Sequence, residues 1–172
     1  MMENERYAIR ESDRNIFVNG TEHFFQKLTA IPAEVGTPSC EETIVRVLDE
    51  FSAVIAISGK RRGYVSYTAP RAMIGEVMGY FGETDRSDDL LADCIGEIAN
   101  TICGNAREHL GPGYTIGVPA VIRGRTEEAP FYADAPAVVI PIKWNGYRSS
   151  LILCLDLGEN EKFAPDFTSL ED

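Results

Sequence analysis

Four positions in the segment 87–110 recur at intervals of three or four residues: Asp93, Glu97, Asn100 and Gly104. In an α-helix this spacing places them on one side, because successive residues turn by about 100°. A primary amide both donates and accepts hydrogen bonds, so an amide beside a carboxylate can orient a water molecule. An amide orients the attacking water in this way in some GTPases. The pattern therefore indicates half of an active site, completed by a partner that brings a phosphate and its magnesium ion.

Other chemistries fit these residues less well. The strip has no Ser, Thr or Cys beside a base, so a covalent nucleophile is not indicated. Asp93 and Glu97 could serve as paired carboxylates for a metal or for glycoside hydrolysis, but nothing supplies further ligands or a sugar cleft. The four cysteines are scattered without a CxxC pair and there are two histidines, which is not a zinc set. We therefore expect reduced cysteines in the core and no metal bound by this chain.

Gly96 and Gly104 are unexpected inside a helix, where each costs about 1 kcal/mol relative to alanine. One interpretation is that the missing side chains let another protein's backbone approach beside Glu97 and Asn100. The other is that the glycines admit a neighbouring element of this same chain while the polar strip is only solvated. A third residue, Asn105, falls inside the apolar stripe, and as a buried amide it needs hydrogen-bond partners. We interpret Asn105 as structural.

The helix that positions the strip has clear start and stop signals. Ser87 can cap it, while Asp88 and Asp89 favour the positive end of the helix dipole. The glycines and proline of GPG at 111–113 end it. The opposite side of the helix is an apolar stripe that we expect to face a sheet: Leu91, Cys94, Ile95, Ile98 and Ile102, flanked by Ala99 and Ala106.

The rest of the chain predicts two more helices and several strands. Helices are expected over about 13–29 and 71–81, and a hairpin from the segments 45–58 and 64–69. Three further strands are expected within 114–124, 131–144 and 147–157. The last two flank Asn145-Gly146, a strong signal for a two-residue hairpin turn. A length of 172 residues fits one domain.

Charge and hydropathy exclude two classes of partner. The net charge of −11 argues against nucleic acid, which needs clusters of Lys and Arg. The most apolar run, at 135–142, is far shorter than the ~20 residues that span a bilayer, and the charged start is not a targeting signal. We therefore expect a cytoplasmic protein that binds neither nucleic acid nor membrane.

The segment DCIGEIAN, residues 93–100, resembles the D/S-x3-E-x2-N motif of the CheC/CheX/FliY phosphatases of bacterial chemotaxis. The following TICGNAREHL and the later IGVPAVIRG, at 116–124, are similar to CheX members in particular. The resemblance covers about residues 13–157, which we interpret as the phosphatase domain. Residues 1–12 are then an N-terminal extension and residues 158–172 an acidic C-terminal tail.

The resemblance implies an α+β fold of the CheC-like type, with a largely antiparallel sheet covered by helices. It implies dephosphorylation of a CheY-like response regulator receiver domain. Asn100 would orient the attacking water, and Glu97 would pair with the receiver's lysine. Asp93 would support the strip or contact the partner, and Gly96 and Gly104 would contact the partner where the helix lies against the receiver.

The resemblance also bears on cofactors and assembly. Mg²⁺ is expected on the receiver, so the chain needs no cofactor of its own, and a homodimer formed through the sheet is implied. CheX relatives carry one motif, and this chain also shows one, since Gly79 stands where a second asparagine would follow Glu76.

Two alternatives to an enzyme remain at this point. The first is a catalytically silent adaptor that binds a two-component or chemotaxis signalling protein through the same helix. The second is a structural subunit of a flagellar or signalling assembly. An adaptor would bind the receiver without accelerating phosphate loss.

Overall fold

A computed structural model describes residues 11–41, 47–124 and 137–155. These ranges contain three helices: α1 (Glu11–Thr29), α2 (Arg71–Tyr80) and α3 (Asp88–Leu110). They contain eight strands: β1 (Glu34–Val35), β2 (Ser39–Glu41), β3 (Phe51–Gly59), β4 (Gly63–Ala69), β5 (Tyr114–Ile116), β6 (Ala120–Arg123), β7 (Ala137–Trp144) and β8 (Tyr147–Leu155). The predicted α+β class is confirmed.

All the strands belong to one antiparallel sheet, in the order β1-β7-β8-β4-β3-β5. Two short strands share the outer positions, because β2 also pairs with β7 and β6 also pairs with β3. β7 and β8 form the predicted hairpin, and Asn145 and Gly146 have the positive φ values, 48° and 80°, that a tight two-residue turn requires. The homodimer through this sheet stays a prediction.

The helices cover one face of the sheet. The main core joins side chains of α1, α2 and α3 to that face, and a smaller apolar cluster that includes Val54, Tyr64 and Ile152 lies apart from it. β4 is buried at all seven of its positions, so the centre of the sheet is buried on both faces. The aromatic stripe predicted on α1 is part of the main core, where Phe25 stacks on Trp144 with ring centroids 5.3 Å apart.

The predicted helices are confirmed to within two residues at each end. α1 begins at Glu11, two residues before the start expected for the phosphatase domain, and residues 1–10 lie outside the described ranges. The tail expected at 158–172 and parts of three predicted strands, at 45–46, 131–136 and 156–157, also lie outside them.

The strand predictions needed two corrections. The segment 114–124 is two strands, β5 and β6, separated by residues 117–119. Pro119 lacks the N–H that a continuous ladder needs, and Gly117 instead donates to the carbonyl of Ala56 at 2.9 Å. β1 and β2 were missed, because strands of two and three residues carry no alternating pattern and form through their pairing with β7.

Candidate functional site

The start and end of α3 are fixed by local chemistry, as predicted. The side-chain oxygen of Ser87 accepts a hydrogen bond from the backbone N–H of Leu90 at 3.4 Å, and Gly111 ends the helix with a φ of 91°. Asp89 accepts a hydrogen bond from Arg123 of β6 at 2.6 Å. Asp88 pairs with Arg71 of α2, and the hydrogen bond from that guanidinium lowers the pKa of Asp88. α3 is therefore held to the sheet edge and to α2 at its first turn.

The sequence spacing predicted the two sides of α3 correctly. All seven residues of the apolar stripe and its flank are buried, each less than a tenth exposed. Asp93, Glu97, Asn100 and Gly104 are all exposed and form one strip along the opposite side, which we call the polar strip. About one helical turn separates each member from the next.

Within the described residues, the side chains of the polar strip have few polar contacts. The Glu97 carboxylate accepts one long hydrogen bond, from the Thr101 hydroxyl at 3.5 Å, and that hydroxyl also donates at 2.8 Å to the Glu97 backbone carbonyl. Asn100 and Asp93 make no side-chain hydrogen bond or ion pair with the described part of the chain. An exposed amide that bonds to none of the described residues therefore lies one turn from an exposed carboxylate.

The two glycines of α3 have different surroundings. Gly96 is buried, and a Cβ there would lie 3.6 Å from the Pro119 Cβ and 3.7 Å from Val121 Cγ2. Gly104 is exposed, and a Cβ there would meet nothing within 4 Å. Gly96 therefore departs from the expected placement on the partner face, since it is buried beside Pro119 and Val121 of this same chain, at distances that would also accommodate a methyl group. Gly104 has no such contact within the described residues, and so it keeps the partner interpretation.

Asn105 has the structural role that its position predicted. Its Nδ2 donates to the backbone carbonyl of Gly20 at 3.3 Å. Gly20 is needed there, because a Cβ would lie 3.0 Å from the carbonyl oxygen of Ile102. α1 thus crosses α3 at close range, and the amide of Asn105 stabilises the crossing.

The thiols of α3 are not reactive groups of the site. Cys94 and Cys103 are free and buried, and burial raises the pKa of each thiol to about 12. A thiol with such a pKa is protonated at neutral pH and is a poor nucleophile. Within the described ranges, no three His, Cys, Asp or Glu side chains lie close enough together to bind a metal.

A loop missed by the sequence prediction borders the polar strip. Residues 117–119, which we call the 117–119 loop, connect β5 to β6, and Pro119 lies against Gly96. Glycine and proline inside an otherwise strand-like run signal a break in pairing, so the sequence GVP could have revealed this loop. Its contact with α3 could not be predicted, because it depends on the register of β6 against β3.

The fold and the exposed strip define the class of protein: an α+β protein of the CheC-like type. A family model described as "Chemotaxis phosphatase CheX" matches residues 51–143, a range that includes the whole polar strip and the 117–119 loop. The chain belongs to this CheX family. A search of curated protein sequences found no match.

Solved structures confirm the CheC-like fold. A CheC-like superfamily protein from Shewanella sp. PV-4 superposes with a TM-score of 0.75 at 20% identity, covering 86% of this chain and 99% of that one. A chemotaxis protein CheX from Desulfovibrio desulfuricans gives 0.67 at 23% identity, covering 84% and 99%. The structure of a CheX–CheY–BeF3–Mg²⁺ complex from Borrelia burgdorferi matches with 0.68 at 17% identity, covering 86% and 99%.

No described helix is both long enough and apolar enough to cross a membrane.

Proposed function

We propose that this chain is a phosphatase that removes the phosphoryl group from a phosphorylated aspartate of a CheY-like receiver domain. Membership in the CheX family supports phosphatase activity at the level of the family. The Borrelia burgdorferi complex is a CheX with CheY, beryllofluoride and Mg²⁺, which supports a receiver as the partner. The observation that carries the proposal is the exposed amide of Asn100, which has no hydrogen-bond partner among the described residues and lies one turn from Glu97 on α3.

Asn100 orients the water in the proposed reaction. Its amide oxygen accepts a hydrogen bond from the water, and this directs the water oxygen at the phosphorus of the aspartyl phosphate. A bond forms between that oxygen and phosphorus, while the bond from phosphorus to the aspartate oxygen breaks. The electron pair of the broken bond stays on the aspartate carboxylate, and a proton of the water is released with inorganic phosphate. The amide is unchanged, so no covalent intermediate forms on this chain.

Glu97 and Gly104 position the partner in the proposed complex. The carboxylate of Glu97 forms an ion pair with the receiver's lysine, since it is exposed and its one side-chain contact among the described residues is the long hydrogen bond from Thr101. Gly104 leaves the next turn of α3 open, so that a partner backbone can approach. A magnesium ion, which we expect on the receiver, would neutralise phosphoryl charge there.

The test compares phosphate loss from a magnesium-bound, phosphorylated receiver in the presence of the wild-type chain and of Asn100→Ala. Removing one positioned hydrogen-bonding group from a hydrolytic site costs about 100-fold in rate. Asn19→Ala, which removes an exposed asparagine from α1, is the matched control and should keep the wild-type rate. Receiver binding without faster phosphate loss by the wild-type chain would overturn the proposal and leave the adaptor.

A further inference from the structure

Val118 is unusually exposed for an apolar side chain. In the described part of the chain three large apolar residues are exposed, and Val118 is 90% exposed, compared with 43% for Tyr80 and 50% for Phe81. Single exposed apolar residues are common on protein surfaces. What distinguishes Val118 is how its loop is held and what lies next to it.

The 117–119 loop is fixed on both sides of Val118. Before it, the backbone N–H of Gly117 donates to the Ala56 carbonyl of β3 at 2.9 Å. After it, Pro119 lies against Gly96 of α3, and the ring of a proline restricts the backbone further. Val118 is therefore presented to solvent by a short loop that contacts the sheet and the helix, and little conformational entropy remains to be lost when a partner contacts it.

β6 and the loop before it run along α3. Arg123 bonds to Asp89 in the first turn of the helix, while Val121 and Pro119 both lie against Gly96. Asn100 is four residues beyond Gly96, which is about 40° round the helix and about 6 Å along it. Val118 comes directly before Pro119, so the loop that carries it borders the turn between Gly96 and Asn100.

Binding of a receiver to the polar strip needs an apolar contact in addition to the charged and polar ones. Asp93 and Glu97 are negative, the whole chain has a net charge of −11, and the proposed substrate carries a phosphoryl group. The charge of this chain therefore gives no attraction to the phosphoryl group itself, and Glu97 contributes through one lysine only. Burial of apolar surface does not depend on charge and stabilises a complex in proportion to the area removed from water.

We propose that Val118 is a docking residue, which inserts into an apolar site next to the phosphorylated aspartate of the receiver and thereby holds Asn100 in register with the phosphoryl group. This inference rests on the proposed function. It assigns the 117–119 loop to the partner interface, together with the polar strip.

The test separates binding from the hydrolytic step for Val118→Ser. The chain is titrated against a receiver loaded with beryllofluoride and Mg²⁺ to measure the dissociation constant. It is then titrated against the phosphorylated receiver to measure the half-saturating concentration and the maximal rate. We expect Val118→Ser to raise the dissociation constant and the half-saturating concentration about tenfold, with the maximal rate within about twofold. Val118→Ile, which keeps the apolar contact, should stay near wild type.

Phe81→Ser is the matched control, because it removes an exposed apolar side chain at the end of α2 and should leave all three quantities unchanged. Equal dissociation constants for Val118→Ser and wild type, or equal weakening by Phe81→Ser, would overturn the docking role. Failure of the proposed function gives another result: the wild-type chain binds the beryllofluoride-loaded receiver but does not accelerate phosphate loss. In that case the effect of Val118→Ser on binding still decides the docking role.

Discussion

α2 and α3 carry the same short pattern but differ in what surrounds it. With an offset of 21 residues, Ile74-Gly75-Glu76 on α2 corresponds to Ile95-Gly96-Glu97 on α3, and Gly79 corresponds to Asn100. The alternation of buried and exposed positions is the same at the eight residues 72–79 and 93–100. A glutamate presented on the outer side of a core helix is thus common to both helices, and it does not by itself define a site.

The α2 positions are occupied by contacts within the chain. The carboxylate of Glu76 accepts a hydrogen bond from the Tyr147 hydroxyl at 3.4 Å. The side chain of Arg86 covers both glycines, with its Nη2 3.7 Å from where a Cβ of Gly79 would lie. Arg86 is itself held, because it donates to the backbone carbonyls of Glu83 and Asp85. On α3 the 117–119 loop takes the place of the arginine and leaves Asn100 uncovered. The same helical pattern is therefore engaged in contacts within the chain on α2, where Arg86 and Tyr147 cover it, and is open to a partner on α3.

The largest difference between the helices is expected for the two glutamates. Glu97→Gln removes the charge that we assign to the receiver's lysine, and loss of a charge pair desolvated in a complex costs at least about tenfold in affinity. Glu76→Gln changes a carboxylate that already has a partner in Tyr147, so the rate of phosphate loss should stay within about twofold of wild type. Rates measured on the phosphorylated receiver check both. Equal losses in the two variants would contradict the distinction between α2 and α3.

The exposed glycines should separate stability from activity. Gly104→Ala adds a methyl group in open space, so thermal or urea unfolding should show a gain of about 0.5–1 kcal/mol in the free energy of unfolding. The same methyl group faces the proposed partner, and receiver binding should weaken severalfold. Gly79→Ala is the matched control on α2: it should also stabilise the helix, but binding should not change. A Gly104→Ala variant that binds as well as wild type would show that no backbone approaches there.

A second asparagine on α2 should not create a second site. Gly79→Asn completes the Glu-x2-Asn spacing with Glu76, yet Arg86 lies over the new side chain and Tyr147 holds the glutamate. In the background of Asn100→Ala we therefore expect no recovery of phosphate loss. Recovery to even a tenth of the wild-type rate would mean that the spacing alone suffices and that the cover on α2 is unimportant.

The smallest effect is expected from thiol modification. Cys94 corresponds to Met73 on α2, and both are buried packing residues. Burial shields Cys94 and Cys103 and raises the pKa of each thiol to about 12, so both should resist iodoacetamide at pH 8 while exposed Cys40 reacts. Mass spectrometry of the native protein locates the label, and the labelled protein should keep its rate. Unfolding in urea should make the buried thiols reactive, because the pKa then returns to its ordinary value.

The sequence predicted α3 well because local interactions determine it. Its cap, its apolar stripe and its terminating glycine all act within one or two turns, and the exposed strip follows from the period of the helix. Contacts between distant segments were not predictable in the same way. The burial of Gly96 depends on where Pro119 lies, and β1 and β2 exist because β7 offers them a partner. The position of the Arg86 side chain over Gly79 likewise depends on how α2 packs against α3, and no local sequence pattern predicts it.

The most direct test of the account measures two properties of Asn100→Ala with one receiver: affinity for the beryllofluoride-loaded form and the rate of phosphate loss from the phosphorylated form. Because Asn100 is exposed and makes no side-chain hydrogen bond with the described residues, the variant should fold normally. We predict an affinity within a few-fold of wild type and a rate that falls about 100-fold, to near the receiver's own rate of phosphate loss. An unchanged rate, with the affinity also unchanged, would contradict the assignment of Asn100 to the hydrolytic step.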